Sequence, residues 1–334
     1  MSTVAAPSVT FKPRRLGHAN LFVGDLEEAI KFYNLVCGLE LVRREVEISA
    51  GFLTNGNTHH DLGLMQAQVE PGTFVDDQGR DRTRFGRDRK VGLNHLGWEV
   101  DNEAQLVEAW RAAKQAGAKI TRTLDHQISR SVYVHDPDGN EHEFYADTLE
   151  DWRSVFNLDH DDIVTKVWNP EETIANPTPL WVESPDMHKV DDAHFHADFI
   201  THVGLVARDY EAMKSFFIKV AGLEIADEDP GKTQCLLRGP AASLDLILFA
   251  PREGVPPGVS FIAFVASSED ELLSAQERAE RAGVKVEFVI DRPGRRSVTL
   301  RDPDGRRVVI YTRSSDNLGM EAGSEIMQSL QSLK

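Results

Sequence analysis

The chain has 334 residues, 41% hydrophobic and 27% charged, which is enough for two globular domains that each bury a core. A net charge of −17 excludes a general binder of nucleic acid or anionic membranes, though a single pocket can still be locally basic. Two cysteines, Cys37 and Cys235, are too few for a disulfide framework, residues 1–15 lack the apolar core of a signal peptide, and no run is long enough to span a membrane, so a cytoplasmic protein is expected.

Residues 16–23 alternate and are rich in apolar side chains, which predicts a strand. Asp25 suits a helix N-cap, and Leu26, Ala29, Ile30, Phe32, Tyr33 and Val36 then recur at helical spacing until Gly38. Residues 39–47, 50–54 and 61–69 read as three further strands. Residues 70–92 are polar and rich in arginine (Arg80, Arg82, Arg84, Arg87, Arg89); a solvated loop is expected, a lid being the alternative. The pattern restarts with a strand at 93–100, a helix at 103–116, and strands near Lys119, at 131–135 and at 141–146. Residues 156–196 are acidic and contain proline, as a linker would. The second half repeats the pattern from Phe199 and from Val259, and 316–334 reads as a helical tail. The fold class is therefore α+β: four βαβββ modules paired into two domains, a catalytic metal-binding domain at 1–155 and a degenerate second domain at 197–315.

The repeat is visible residue by residue. Residues 32–41 return at 216–225, Gly17-His18-Ala19-Asn20-Leu21 as Thr201-His202-Val203-Gly204-Leu205, and Asp136-Pro137-Asp138-Gly139 as Asp302-Pro303-Asp304-Gly305. Each copy is a control for the other. Asp61-Leu62 and Ala116-Gly117-Ala118-Lys119 persist as Asp245-Leu246 and Ala282-Gly283-Val284-Lys285, as scaffold positions should. By contrast His60 faces Leu244, His95 faces Phe261, His126 faces Arg292, Tyr133 faces Thr299 and Glu143 faces Val309; only His18 survives, as His202.

The residues lost from the second copy are those that carry chemistry. His18 and His95 fall at equivalent places in the first strands of modules one and two, and Glu143 falls in the last strand of module two. Strand alternation lets all three face one concave surface. Two imidazoles and one carboxylate with open positions make the facial triad of a non-haem Fe(II) centre. An imidazole titrates near neutrality, so His60 could pass a proton both ways, and Tyr133 offers a phenol to a bound oxygen. His59 reads as a substrate-binding residue at the rim of the site or just behind it. Arg130, close to His126 and Tyr133 in sequence, would meet a ring carboxylate, or else is a surface arginine.

The module, with His18, the run His59-His60-Asp61-Leu62-Gly63-Leu64, Asn94-His95-Leu96, His126, Tyr133 and Glu143-Phe144-Tyr145, resembles the type I extradiol ring-cleavage dioxygenases of the vicinal oxygen chelate superfamily. The resemblance covers both halves at the level of fold and residues 16–147 at the level of motif. It implies Fe(II), or Mn(II), on His18, His95 and Glu143, with His60 as the acid–base residue and His126 and Tyr133 on substrate and oxygen. The implied partners are a small aromatic diol and O2, and a homo-oligomer is expected. Two-domain members usually carry the metal in the C-terminal half, whereas here Phe261 and Val309 empty that half. Hydroquinone-cleaving relatives, with ligands from both halves, are thereby disfavoured. Two alternatives stand: a redox-neutral metal enzyme of glyoxalase or epimerase type, which usually wants a fourth protein ligand, and a small-molecule binding protein of bleomycin-resistance type, which needs no triad.

Overall fold

The computed structural model describes residues 10–312 apart from 77, 157, 267 and 293–294; the tail expected at 316–334 lies outside the described residues. Module one runs β1 (Arg15–Val23), α1 (Leu26–Lys31), β2 (Leu41–Glu45), β3 (Ala50–Leu53) and β4 (Leu62–Gln66). The insertion after it forms β5 (Gln68–Val69), β6 (Gly72–Val75), β7 (Asp81–Arg84) and β8 (Arg87–Asp88), paired outer with outer and inner with inner. Module two is β9 (Gly92–Glu99), α2 (Glu103–Gln115), β10 (Ile120–Asp125), β11 (Ser129–His135) and β12 (Glu141–Asp147). After a short α3 (His160–Ile163), module three is β13 (Ala197–Val206), α4 (Tyr210–Phe216), β14 (Glu224–Glu228), β15 (Gln234–Arg238) and β16 (Leu246–Phe249). Module four is β17 (Gly258–Ala266), α5 (Glu269–Arg281), β18 (Val286–Arg292), β19 (Arg295–Arg301) and β20 (Arg307–Thr312).

Each domain is one curled eight-stranded sheet, ordered β10-β11-β12-β9-β1-β4-β3-β2 in the first and β14-β15-β16-β13-β17-β20-β19-β18 in the second. In each, two modules meet through their first strands, β1 against β9 and β13 against β17, both antiparallel. Asp25 accepts a hydrogen bond from the Glu28 amide at 3.0 Å and Asn102 from the Gln105 amide at 2.9 Å, so α1 and α2 start at side-chain caps. Beyond α1 the chain widens into one π-type turn, Phe32–Val36, before Gly38, and the second copy does the same at Phe217–Ala221. Gly38 has φ +90°, and a Cβ there would fall 2.2 Å from the Phe195 carbonyl oxygen, so both conformation and space require glycine. No helix among the described residues is long and apolar enough to cross a membrane.

One apolar core runs through both domains, with Trp98 against Phe217 and His142 against Phe216 and Phe217. Scaffold positions shared by the two copies take part in joining them. Asp61 accepts from the Ile200 amide at 3.1 Å, and Asp245 accepts from the Leu16 amide at 2.7 Å. Asp138 accepts from the Arg208 amide at 2.8 Å, and Asp304 from the Gly24 amide at 3.0 Å. Every one of these bonds has its counterpart with the domains exchanged.

Asp245 is almost fully buried, and burial lifts its carboxyl from the ordinary 3.8 to about 7. The folded chain then holds a proton that the unfolded chain releases near 3.8. The stability linked to Asp245 is therefore greatest at low pH and declines as pH rises towards 7. Asp245→Asn cannot titrate. Wild-type stability is expected to fall relative to Asp245→Asn by about 2–3 kcal/mol between pH 5 and pH 8. Denaturation curves across that range check this, and a pH-independent difference would refute it.

Candidate active site

The triad assembles from strand register. β1 pairs with β9 so that Asn20 faces His95 and His18 faces Gly97, and β12 runs parallel to β9 with Glu143 beside Gly97. His18, His95 and Glu143 thus come from three adjacent strands and project to one side. His18 Nε2 lies 2.9 Å from Glu143 Oε2 and 3.3 Å from His95 Nε2, and His95 Nε2 lies 3.0 Å from the same Glu143 oxygen. A Cβ on Gly97 would come within 2.1 Å of the His18 ring, so that glycine makes the room for the ligand.

Three buried Lewis bases this close need a cation or a proton between them. Neighbouring positions around a metal with bonds of about 2.1 Å are separated by roughly 3 Å, which is the spacing of these atoms. Burial drives the His18 imidazole down to about 4 despite Glu143 beside it. Burial raises the Glu143 carboxyl, but the adjoining His18 and His95 imidazoles outweigh it and hold the group well below the usual range. His18 is therefore neutral and Glu143 ionised near pH 7, the states a divalent metal requires. His95 Nδ1 donates to Asn94 Oδ1 at 2.5 Å, leaving Nε2 for a ligand. His18 Nδ1 has no such acceptor among the described residues; its ring lies against Tyr145 instead. The donor set fits a metal.

The pseudo-twofold that maps β1 onto β9 also maps β4 onto β12. Asn20 pairs with Gly63 as Gly97 pairs with Glu143. The place where a fourth protein ligand would stand is thus Gly63, and Asn20 Oδ1 occupies the space over it.

Above the triad lies a cavity of about 1060 Å³ lined by His59, His60, His95, His126, Tyr133 and Glu143, with Phe22, Phe52, Leu93 and Ile128 among its apolar walls. The His60 ring centroid is 4.0 Å from that of His18, and its Nε2 donates to Asn20 Oδ1 at 3.1 Å. Burial, then His18, keeps the His60 imidazole well below its ordinary range. His126 Nδ1 bonds the Ile163 carbonyl, so its Nε2 accepts from the Tyr133 hydroxyl at 3.1 Å. Burial raises the Tyr133 phenol, which stays protonated. His59 is buried beside Tyr145, its Nδ1 3.3 Å from Thr58 Oγ1. The nitrogens of His18, His59 and His60 also lie within 4.8 Å of one another, but that group lacks a carboxylate.

Two segments expected to be passive build the walls. Residues 86–90 of the insertion, expected as a solvated loop, line the cavity. So do Phe156, Ile163 and Val164 of the expected linker. That linker is fastened down: Arg43 bonds the carbonyls of Phe156 and Leu158, His160 bonds Glu45 at 3.0 Å, and Arg80 bonds Asp159 at 2.9 Å. Arg130 does not join the site. Its guanidinium is held by Glu103 and by Asp125 at 3.2 Å, outside the cavity lining. Asn20 and Asn94 also join the site; Asn20 lies two residues from His18 and so on the same face of β1, a signal the sequence carries in its alternation.

The second domain fills the corresponding space with its own side chains. Phe261 and Val309, in the places of His95 and Glu143, pack with Leu244, Ile247, Phe249 and Tyr311 into an apolar cluster. Gly204, in the place of Asn20, leaves room for the Phe261 ring, which a Cβ there would meet at 2.2 Å. His202 sits beside Thr201, Phe261 and Tyr311.

Residues 15–144 and 199–310 match the profile of the Glyoxalase/Bleomycin resistance protein/Dioxygenase superfamily. Catechol-2,3-dioxygenase of Bacillus subtilis (strain 168) is 24% identical over 283 residues, 81% of this chain and 90% of the relative. A variant of homoprotocatechuate 2,3-dioxygenase from B. fuscum superposes with a TM-score of 0.65 at 18% identity, covering 95% of this chain and 76% of that one. A Mn(II)-bound glyoxalase from Novosphingobium aromaticivorans gives 0.63 at 17% identity, covering 91% and 83%. At such identities the two structures speak for the fold alone.

Proposed function

We propose that this chain, which belongs to the Glyoxalase/Bleomycin resistance protein/Dioxygenase superfamily, is an extradiol dioxygenase that opens a catechol-type ring with O2 beside its two hydroxyls, giving a semialdehyde-type product. The observation that carries the reading is the convergence of His18, His95 and Glu143, within 2.9–3.3 Å of one another, beneath a cavity that also holds His60 and Tyr133. Fe(II), or Mn(II), held by these three would supply open positions for both reactants and a path for electrons from ring to oxygen.

The protein's own part is binding and proton traffic. Phe22, Phe52, Leu93 and Ile128 offer apolar walls to a ring and keep water from it. His60, neutral and buried, takes a hydroxyl proton from the bound diol. Because the charged imidazolium is disfavoured there, His60 would give that proton up again readily to a product oxygen. Tyr133, held by His126 and through it by the Ile163 carbonyl, would turn its O–H from His126 Nε2 to the oxygen on which negative charge develops.

The redox-neutral reading is disfavoured because Gly63 stands where a fourth ligand would be. The sequestering reading leaves the triad unexplained. One experiment decides among them. Protein loaded with Fe(II) without oxygen is given a panel of catechols, oxygen is admitted, and uptake is followed with the appearance of a yellow product. Equimolar uptake with at least one catechol is expected; none with any catechol would sink the reading.

A further inference from the structure

The insertion between β4 and β9 brings three cations to the mouth of the cavity: Arg87, Arg89 and Lys90. Other arginines of the lining are neutralised, Arg43 by Glu45 and Arg122 by Glu141 at 2.7 Å. Arg87 is different. It is half-buried, its Nη1 donates to the Gln66 carbonyl at 2.8 Å, and no carboxylate among the described residues is within ion-pairing distance of it. Burial, with Arg89 adding its own charge, lowers its pKa rather than raising it, yet a guanidinium stays charged. Asp88, the acid beside it, is exposed and accepts from Gln68 at 2.8 Å. A half-buried guanidinium without a carboxylate partner at the cavity wall, in a chain whose overall charge is −17, calls for an anion from outside.

Position sets how far that anion is from the metal ligands. The Arg87 guanidinium lies 5.8 Å from the centre of the Phe22 ring. Phe22 is four residues along β1 from His18, a Cα–Cα separation of about 13 Å at the rise of a strand. A single ring held at the triad ends well short of that, and the cavity of about 1060 Å³ is at the upper end of sites for ligands much larger than one ring. We propose that Arg87 is a specificity residue that binds a carboxylate at the far end of an extended aromatic substrate, a biaryl or a ring with a several-atom arm, whose diol end lies at His18, His95 and Glu143.

The substrate part of this rests on the dioxygenase reading, but its test does not. Metal-free protein is titrated calorimetrically with biphenyl-4-carboxylate and with biphenyl-4-carboxamide, neither of which is a diol. The carboxylate is expected to bind roughly tenfold tighter or more, with the preference shrinking in high salt. Arg87→Gln should remove most of that preference and Arg87→Lys should restore part of it, with unchanged circular dichroism in both. In the Fe(II)-loaded enzyme, Arg87→Gln should raise KM for carboxylated biaryl diols far more than for simple catechol. Equal affinity for the two probes, binding of neither, or an unaltered preference in Arg87→Gln would overturn the assignment. A carboxylate preference without oxygen uptake from any diol would instead overturn the dioxygenase reading and leave Arg87 in place.

Discussion

Glu143→Ala is expected to leave a folded protein that no longer retains metal. The carboxylate is the only anionic member of the triad, and its Oε2 is the atom that both His18 Nε2 and His95 Nε2 approach, at 2.9 and 3.0 Å. Without it two imidazoles remain, on strands whose spacing does not depend on Glu143. Changes outside a metal's own ligands already cost roughly 10–100-fold in affinity, so losing a charged ligand should cost on the order of 10²-fold or more. Elemental analysis after loading and desalting reads this directly. Near-stoichiometric metal in the variant would remove Glu143 from the ligand set, and with it the facial-triad reading.

His60→Gln should show the opposite pattern: metal retained, turnover lost. His60 sits against His18 with ring centroids 4.0 Å apart but bonds Asn20, not the triad carboxylate. Glutamine keeps a hydrogen-bonding group for Asn20 and removes only the capacity to accept and return a proton. A fall in kcat of about 10²–10⁴ is expected, with little change in KM. Metal content measured beside kcat separates proton transfer from ligand loss. Unchanged turnover would remove His60 from the chemistry.

What the sequence made legible was whatever has a period or a counterpart. Alternation and helical spacing located the strands and helices of all four modules, and comparing copies isolated His60, His95, Tyr133 and Glu143. Features formed by contacts between distant segments have neither signal. The role of Asn20 depends on His60, 40 residues on, and the wall made by Phe156, Ile163 and Val164 depends on Arg43, His126 and Glu45 reaching back to an acidic stretch that by composition is a linker. Arg130 shows the converse: adjacency in sequence to His126 and Tyr133 suggested a role, but Glu103 and Asp125 hold its charge elsewhere. Glycines were the least legible, since Gly97 and Gly63 matter for what they leave vacant.

The paired bonds of Asp61 with Ile200, Asp245 with Leu16, Asp138 with Arg208 and Asp304 with Gly24 have the form of an isologous contact, in which each side gives what it receives. Such a contact is how two identical subunits close a dimer, and here it is closed within one polypeptide. The second domain is in effect a tethered partner. It meets the first through Asp245 and through the Asp304 turn, while Phe261 and Val309 fill its concave side.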